Sequence, residues 1–195
     1  MEKMIDVQVK VPASDVVDAL LECLRGQPMP MVRTGQLPRI GQPWPGQGGV
    51  YAGMMKGVNG VADYPLILPT DPSAYLKSVT WGPRGVDVPG STCEYDGLKN
   101  TMAIIEVKGE FPAAAKVNKL VIEGHQDFYL PSRRELALLY ANVPELVETG
   151  DWYWSSTQYS SDSAWCQDFG GGRQGYLRKG GNGRVRAVRR VLWVI

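Results

Sequence analysis

The side chains able to do covalent or acid–base work are few and scattered. His125 is the single histidine, and the nearest group able to share a metal or orient its ring is Asp127. A zinc site needs three or four ligands, so this pair predicts none. A Ser-His-acid triad would have to use His125, and no G-x-S-x-G elbow exists to present a serine. Ser155-Ser156-Thr157 and Ser160-Ser161 supply hydroxyls with no activating base nearby in sequence. Cys23, Cys93 and Cys166 form no Cys-x-x-Cys pair, which excludes a zinc ribbon or a thioredoxin-type site. Their odd number, with no signal peptide at the acidic start Met1-Glu2-Lys3-Met4-Ile5-Asp6, predicts reduced thiols and assembly in a reducing compartment. Gly170-Gly171-Gly172 lacks the Lys-Ser/Thr and following helix of a phosphate loop. Among 20 acids no pair stands out for glycoside cleavage. These types and spacings point to binding without chemistry, and no cofactor or metal is expected.

Binding has a richer vocabulary. Residues 151–179 carry Trp152, Tyr153, Trp154, Tyr159, Trp165, Phe169 and Tyr176 among Ser, Gln, Asp and Arg. Rigid aromatics supply contact area and small polar residues supply hydrogen bonds, as on adaptable recognition surfaces. Strand alternation separates two sets. The bulky Trp165, Gln167 and Phe169 are expected inward, and Ala164, Cys166 and Asp168 outward. On the next strand Gln174, Tyr176 and Arg178 are the expected outward set.

The elements that must position this segment are short. Val50–Met55 and Tyr64–Leu68 read as a hairpin about the turn Gly57-Val58-Asn59-Gly60. Ser78–Trp81 is a third strand, followed by a turn-rich stretch to Gly90. Asp96 caps a helix through about Lys108, with Leu98, Met102 and Ile105 expected on its buried face. Pro112 opens another short helix. Ser132 and Glu135 have the S-x-x-E spacing of a capping box. Leu136, Leu139 and Tyr140 then face the core, and the helix ends before Pro144. Strands at 151–157, 163–169, 174–179 and 184–195 follow, with glycine-rich turns between them. Strands, then helices, then strands make an α+β pattern.

Residues 1–26 read as a strand (Ile5, Val7, Val9, Val11) and a helix at 14–25, a small attachment piece. Residues 27–48, dense in proline and glycine, read as an extended linker. The main domain is expected over 49–195.

The chain has 195 residues, a net charge of +1 and 44% hydrophobic residues, an ordinary globular balance. No apolar run reaches the roughly 18 residues of a membrane helix. Charge is uneven, for residues 169–195 hold seven cations and no acid. Arg184-Val185-Arg186-Ala187-Val188-Arg189-Arg190 mixes apolar and basic residues like a strand, so these arginines are expected to pair with acids elsewhere, not with nucleic acid.

Three segments carry a resemblance. Phe128-Tyr129-Leu130-Pro131-Ser132-Arg133-Arg134-Glu135-Leu136 resembles a "W-Y-L-P-S-R-x-E-L" motif. Tyr153-Trp154-Ser155-Ser156-Thr157 followed by Ala164-Trp165-Cys166-Gln167-Asp168-Phe169 resembles "Y-W-S-S-T…A-W-x-Q-x-F". Arg184–Arg190 resembles a terminal "R-V-R-A-V-R". Together they are similar to the DUF1566 (Lcl-type) C-type-lectin-like domains of bacteriophage and bacterial surface proteins. They are also similar to the variable proteins of diversity-generating retroelements. The resemblance covers residues 40–195. It implies an α+β, C-type-lectin-like fold of the type shared with formylglycine-generating enzymes, with first and last strands paired and loops displayed on one side. It implies a virion protein of the phage tail tip or fibre, assembled in the host cytoplasm and often trimeric, that binds a host cell-surface protein or glycan. Carried over by position, the variable residues are Gln158, Tyr159, Ser160, Asp162, Cys166, Asp168, Gly170, Gly172, Gln174, Tyr176 and Arg178. Arg173 joins them as a residue setting polarity. The Glu-Pro-Asn and Trp-Asn-Asp motifs of calcium-dependent lectins are absent, so calcium-mediated sugar binding is not implied.

The leading expectation is therefore a receptor-binding virion protein attached to other virion proteins through residues 1–45. The alternatives are a capsid decoration or baseplate component using the same fold for assembly, and a polysaccharide-modifying enzyme.

Overall fold

A computed structural model describes residues 37–191. The expected strand and helix at 5–25 lie outside the described residues, as do the first part of the linker and the last residues of the closing strand.

The described residues build two five-stranded sheets and three short helices, a mixed architecture dominated by strands and compatible with the α+β class. One sheet is ordered β1 (Pro43–Trp44), β2 (Gly49–Met55), β3 (Tyr64–Leu68), β10 (Val188–Arg190) and β5 (Phe128–Tyr129). The other is ordered β4 (Tyr75–Thr80), β9 (Asn182–Arg186), β6 (Trp152–Gln158), β7 (Ser163–Asp168) and β8 (Gln174–Arg178). The hairpin of β2 and β3 turns through Asn59 and Gly60, both at positive φ, and Gly53 sits at a register shift with φ 128°. The end of the expected linker joins this sheet. Pro43 and Trp44 pair with Val50 and Gly49, and the Trp44 ring packs edge-on against Tyr51.

The expected closing strand is two strands. β9 pairs with β4 and β6, and after the single residue Ala187 β10 pairs with β3 and β5. The last described strand thus lies beside the second strand of the opening hairpin, not the first.

Helix α1 (Gly97–Glu106) starts where Asp96 accepts a hydrogen bond from Lys99 N at 2.9 Å. Its buried face differs from the apolar stripe. Gly97, Asn100, Thr101 and Ile104 are buried, whereas Met102 and Ile105 are exposed. The reason is tertiary hydrogen bonding. Asn100 brackets the Cys93 backbone through both amide atoms, and Thr101 Oγ1 accepts from Leu130 N. Helix α2 (Pro112–Val117) packs its alanines inward. Helix α3 (Arg133–Asn142) carries the capping box in full. Ser132 Oγ accepts from Glu135 N, and Glu135 Oε2 accepts from Ser132 N at 2.6 Å.

Two apolar clusters result. One joins Trp81, Trp154, Ala164, Cys166 and Val185 to Ile104 and the alanines of α2. The other joins Leu66, Leu68, Tyr129 and Val188 to Leu136, Leu139, Tyr153 and Phe169.

Candidate binding surface

The expected alternation of β7 is reversed over its first half. Ala164 and Cys166 are buried, while Trp165 is only half-buried on the other face. Residue size misled here, because the Trp165 ring is covered by a charged group. The Arg133 guanidinium lies 3.6 Å above its centroid. Beyond the strand Phe169 does turn inward, against Tyr153 and Tyr140.

Trp165 anchors an aromatic platform. Its cross-strand partner on β8 is Tyr176. Tyr159, just past the end of β6, stacks on Tyr176 with centroids 4.3 Å apart and planes 5° from parallel. Both tyrosines meet Trp165 edge-on. Tyr159 is 50% exposed and Tyr176 55%. Such ring pairs add about 0.5–1.5 kcal/mol beyond area burial, which holds two exposed rings in one orientation before any partner arrives. Their hydroxyls have no protein partner among the described residues.

The first turn of α3 fixes the rim. Arg133 Nη1 pairs with Glu94 at 2.6 Å, and Arg134 Nε reaches the other Glu94 oxygen at 3.2 Å. Arg133 Nε donates to Gln174 Oε1, and Gln174 Nε2 donates back to the Arg133 carbonyl, both at 2.9 Å. The guanidinium is thus held flat over Trp165 by two neighbours. Neither Arg133 nor Trp165 stands among the sequence-derived binding residues. The Pro-Ser-Arg start of a helix was the signal for Arg133, but its pairing with Trp165 is tertiary.

The remaining expected residues divide. Tyr159, Tyr176 and Gln174 belong to the platform, and Arg178 is exposed on the same strand. Ser160 and Asp162 form the β6–β7 turn, where Ser160 N donates to Ser163 O and Asp162 pairs with Arg84 at 3.5 Å. Gly170, Gly172 and Arg173 lie at the opposite end of the β7–β8 hairpin. There the Asp168 carboxylate accepts from Gly170 N and Gly171 N, so it is committed to shaping the turn.

Two of the expected binding residues are corrected by burial. Cys166 is 2% exposed, and burial pushes its thiol up to about 12, so it presents no thiolate and no surface. Gln158 is 5% exposed. Its carbonyl oxygen accepts from Val88 N and from Lys179 Nζ, and its amide donates to Asp87. Lys179 is also fully buried, over the Trp81 ring, and burial lowers its ammonium to about 8. Together these groups pin residues 86–88 to the sheet.

The candidate catalytic groups have structural occupations. Asp127 is taken by Arg189, away from His125, whose Nε2 meets the Gly46 carbonyl. Ser155 Oγ donates to Trp165 O, and Thr157 Oγ1 donates to Cys93 O. Among the described residues no three His, Cys, Asp or Glu side chains are grouped to hold a metal, and no helix is long and apolar enough to cross a membrane.

Residues 76–189 match the Lcl C-terminal domain model, more than half of the chain. The chain belongs to that family. The Lcl C-terminal domain here runs from β4 into β10. It contains the whole aromatic platform, together with Arg133 and the capping box that positions it, while the β1–β3 sheet edge precedes it. Comparison with curated proteins finds no match.

Proposed function

We propose that the chain is a recognition protein of a bacteriophage virion, carried at the tail tip or fibre. Its C-type-lectin-like domain presents the Tyr159–Trp165–Tyr176 platform to a receptor on the host cell surface. The main support is the platform itself, two stacked and half-exposed tyrosines braced by a tryptophan and a fixed guanidinium. Aromatic and arginine side chains held rigid at a surface are the groups that dominate protein recognition energies. The lectin-like assignment is supported by the return of β10 to the opening hairpin and by the motif positions on α3, β6 and β7. The structural occupations of Asp127, Ser155 and Thr157 favour binding without turnover. In this reading residues 1–45 attach the domain to other virion proteins, as a homotrimer, with host protein or glycan as the receptor.

Gold labelling of purified virions with an antibody to this chain tests the placement. Label at the tail end is expected. Label over the head would replace receptor binding with capsid decoration, and unlabelled particles would end both virion readings.

A further inference from the structure

A second cleft lies where β4, β6 and β9 meet the short 3-10 turns at Pro72–Ala74 and Pro144–Leu146. Pro72, Tyr75, Leu146, Glu148, Tyr153 and Arg186 line it, around about 240 Å³. Tyr153 lies near the start of β6 and Tyr159 beyond its end, so roughly 20 Å of strand separates this cleft from the platform.

Arg186 is its unusual member. The other arginines of the closing stretch each have an acid: Arg184 has Glu148, Arg189 has Asp127 and Arg190 has Asp96. Arg186 is 9% exposed and forms no ion pair among the described residues. Nη2 donates to the Pro69 carbonyl at 2.7 Å, and Nε is buried with no acceptor. A buried guanidinium without a counter-charge is costly unless something pairs with it. Burial correspondingly lowers its affinity for its proton.

The walls are apolar. Pro72 and Leu146 face a stacked pair, Tyr75 and Tyr153, with centroids 6.3 Å apart. The one acid at the cleft is drawn to its rim. Glu148 Oε2 accepts from Tyr75 OH at 2.9 Å and lies 3.6 Å from Arg184, and its side chain is 60% exposed. A negative group entering the cleft therefore meets Arg186 with its charge unspent.

We propose that this cleft binds a small organic carboxylate with an apolar body, the carboxylate on Arg186 and the body between Pro72, Leu146 and the two tyrosine rings. The volume corresponds to roughly eight waters at about 30 Å³ each. That is below the roughly 300–1,000 Å³ of sites for drug-sized ligands, so the ligand is no larger than a single-ring acid.

The test uses the full chain, labelled with ¹⁵N, titrated with phenylacetate and separately with its neutral amide, phenylacetamide. The expected result is saturable shifts at Tyr75, Glu148 and Arg186 with phenylacetate, at a dissociation constant of about 1 mM or tighter. The amide should bind at least about tenfold more weakly, by loss of a charge-assisted bidentate contact. Arg186→Met should abolish the response. Leu146→Trp, which fills the cleft from an exposed position and leaves Arg186 in place, should abolish it as well and serves if Arg186→Met does not fold. Equal responses to acid and amide, phenylacetate shifts that persist in Leu146→Trp, or no saturation by about 20 mM would overturn the proposal.

Discussion

Tyr64 and Tyr129 donate to the same oxygen of Glu135, at 2.8 and 2.6 Å, deep between the opening sheet and α3. Tyr159 and Tyr176 stack on each other at the surface, with hydroxyls that no described protein group meets. The first pair is tied by its polar ends and buried on all sides. The second is tied by its ring faces and leaves its polar ends to solvent. A hydroxyl that satisfies a buried carboxylate cannot be spared without leaving that carboxylate short of donors. A hydroxyl facing water can be given to a partner at little cost to the fold. The contrast separates tyrosines that hold the domain together from tyrosines available for recognition.

The comparison breaks most visibly at Glu135. Glu135→Ala orphans the Tyr129 hydroxyl and Ser132 N, leaves the Tyr64 hydroxyl with only the Tyr95 carbonyl at 3.1 Å, and should destabilise the domain by about 3 kcal/mol or more. Urea denaturation measures it. A loss under about 1 kcal/mol would mean that the buried knot is not what holds α3.

The surface pair should behave in the opposite way. Tyr159→Ala combined with Tyr176→Ala should lower binding of the labelled protein to host cells by about thirtyfold, the effect of a recognition hot spot. The urea midpoint should move by less than about 1 kcal/mol equivalent. Unchanged cell binding would remove the platform from the recognition reading.

A finer division concerns the brace. Arg133→Lys keeps a positive charge near Glu94 but loses the planar stack on Trp165 and the hydrogen bond from Nε to Gln174. A three- to tenfold loss of cell binding is expected, on the order of 1 kcal/mol. Equal binding would show that charge alone suffices there.

A fourth effect is one of pH. Lys179 titrates at about 8 in the folded domain, against about 10.4 when unfolded. Between those values the unfolded chain binds more protons, so this lysine makes stability rise with pH across about 8 to 10.4. Its bonds to Val86 O and Gln158 Oε1 need only two N–H donors, which the neutral amine retains. In matched urea titrations Lys179→Met should lose that upward slope relative to the parent. Parallel pH profiles would place the lysine's proton affinity at its ordinary value.

The sequence showed local devices well and tertiary ones poorly. The capping box needs only Ser132 and Glu135, three residues apart, and both of its bonds are present. The β2–β3 hairpin needs only its turn residues and alternation. The second role of Glu135, as acceptor for Tyr64 and Tyr129, comes from residues 71 and 6 positions away, and no local pattern announces it. The face of α1 was misread because Asn100 and Thr101 are recruited by backbone at Cys93 and Leu130, which outweighs the exposure of Met102 and Ile105. The face of β7 was misread because ring size stood in for depth. Trp165 is large but is roofed by Arg133, and Cys166, the cross-strand partner of Trp154, is small and packs with it in the core. Tyr159 and Tyr176 were legible as exposed aromatics. Their coplanar stacking was not, since it depends on how the β6–β7 turn returns over β8.

The crossing at Ala187 has a consequence for biosynthesis. β9 lies between β4 and β6, β10 lies between β3 and β5, and only Ala187 separates them. Both sheets therefore lack an interior strand until residues 182–190 have been made. A ribosome adding roughly 5–20 residues per second displays the unpaired edges of β3, β4, β5 and β6 for several seconds before either gap can be filled. Neither sheet can therefore reach its final strand order before residues 182–190 are available, and the same nine residues complete both.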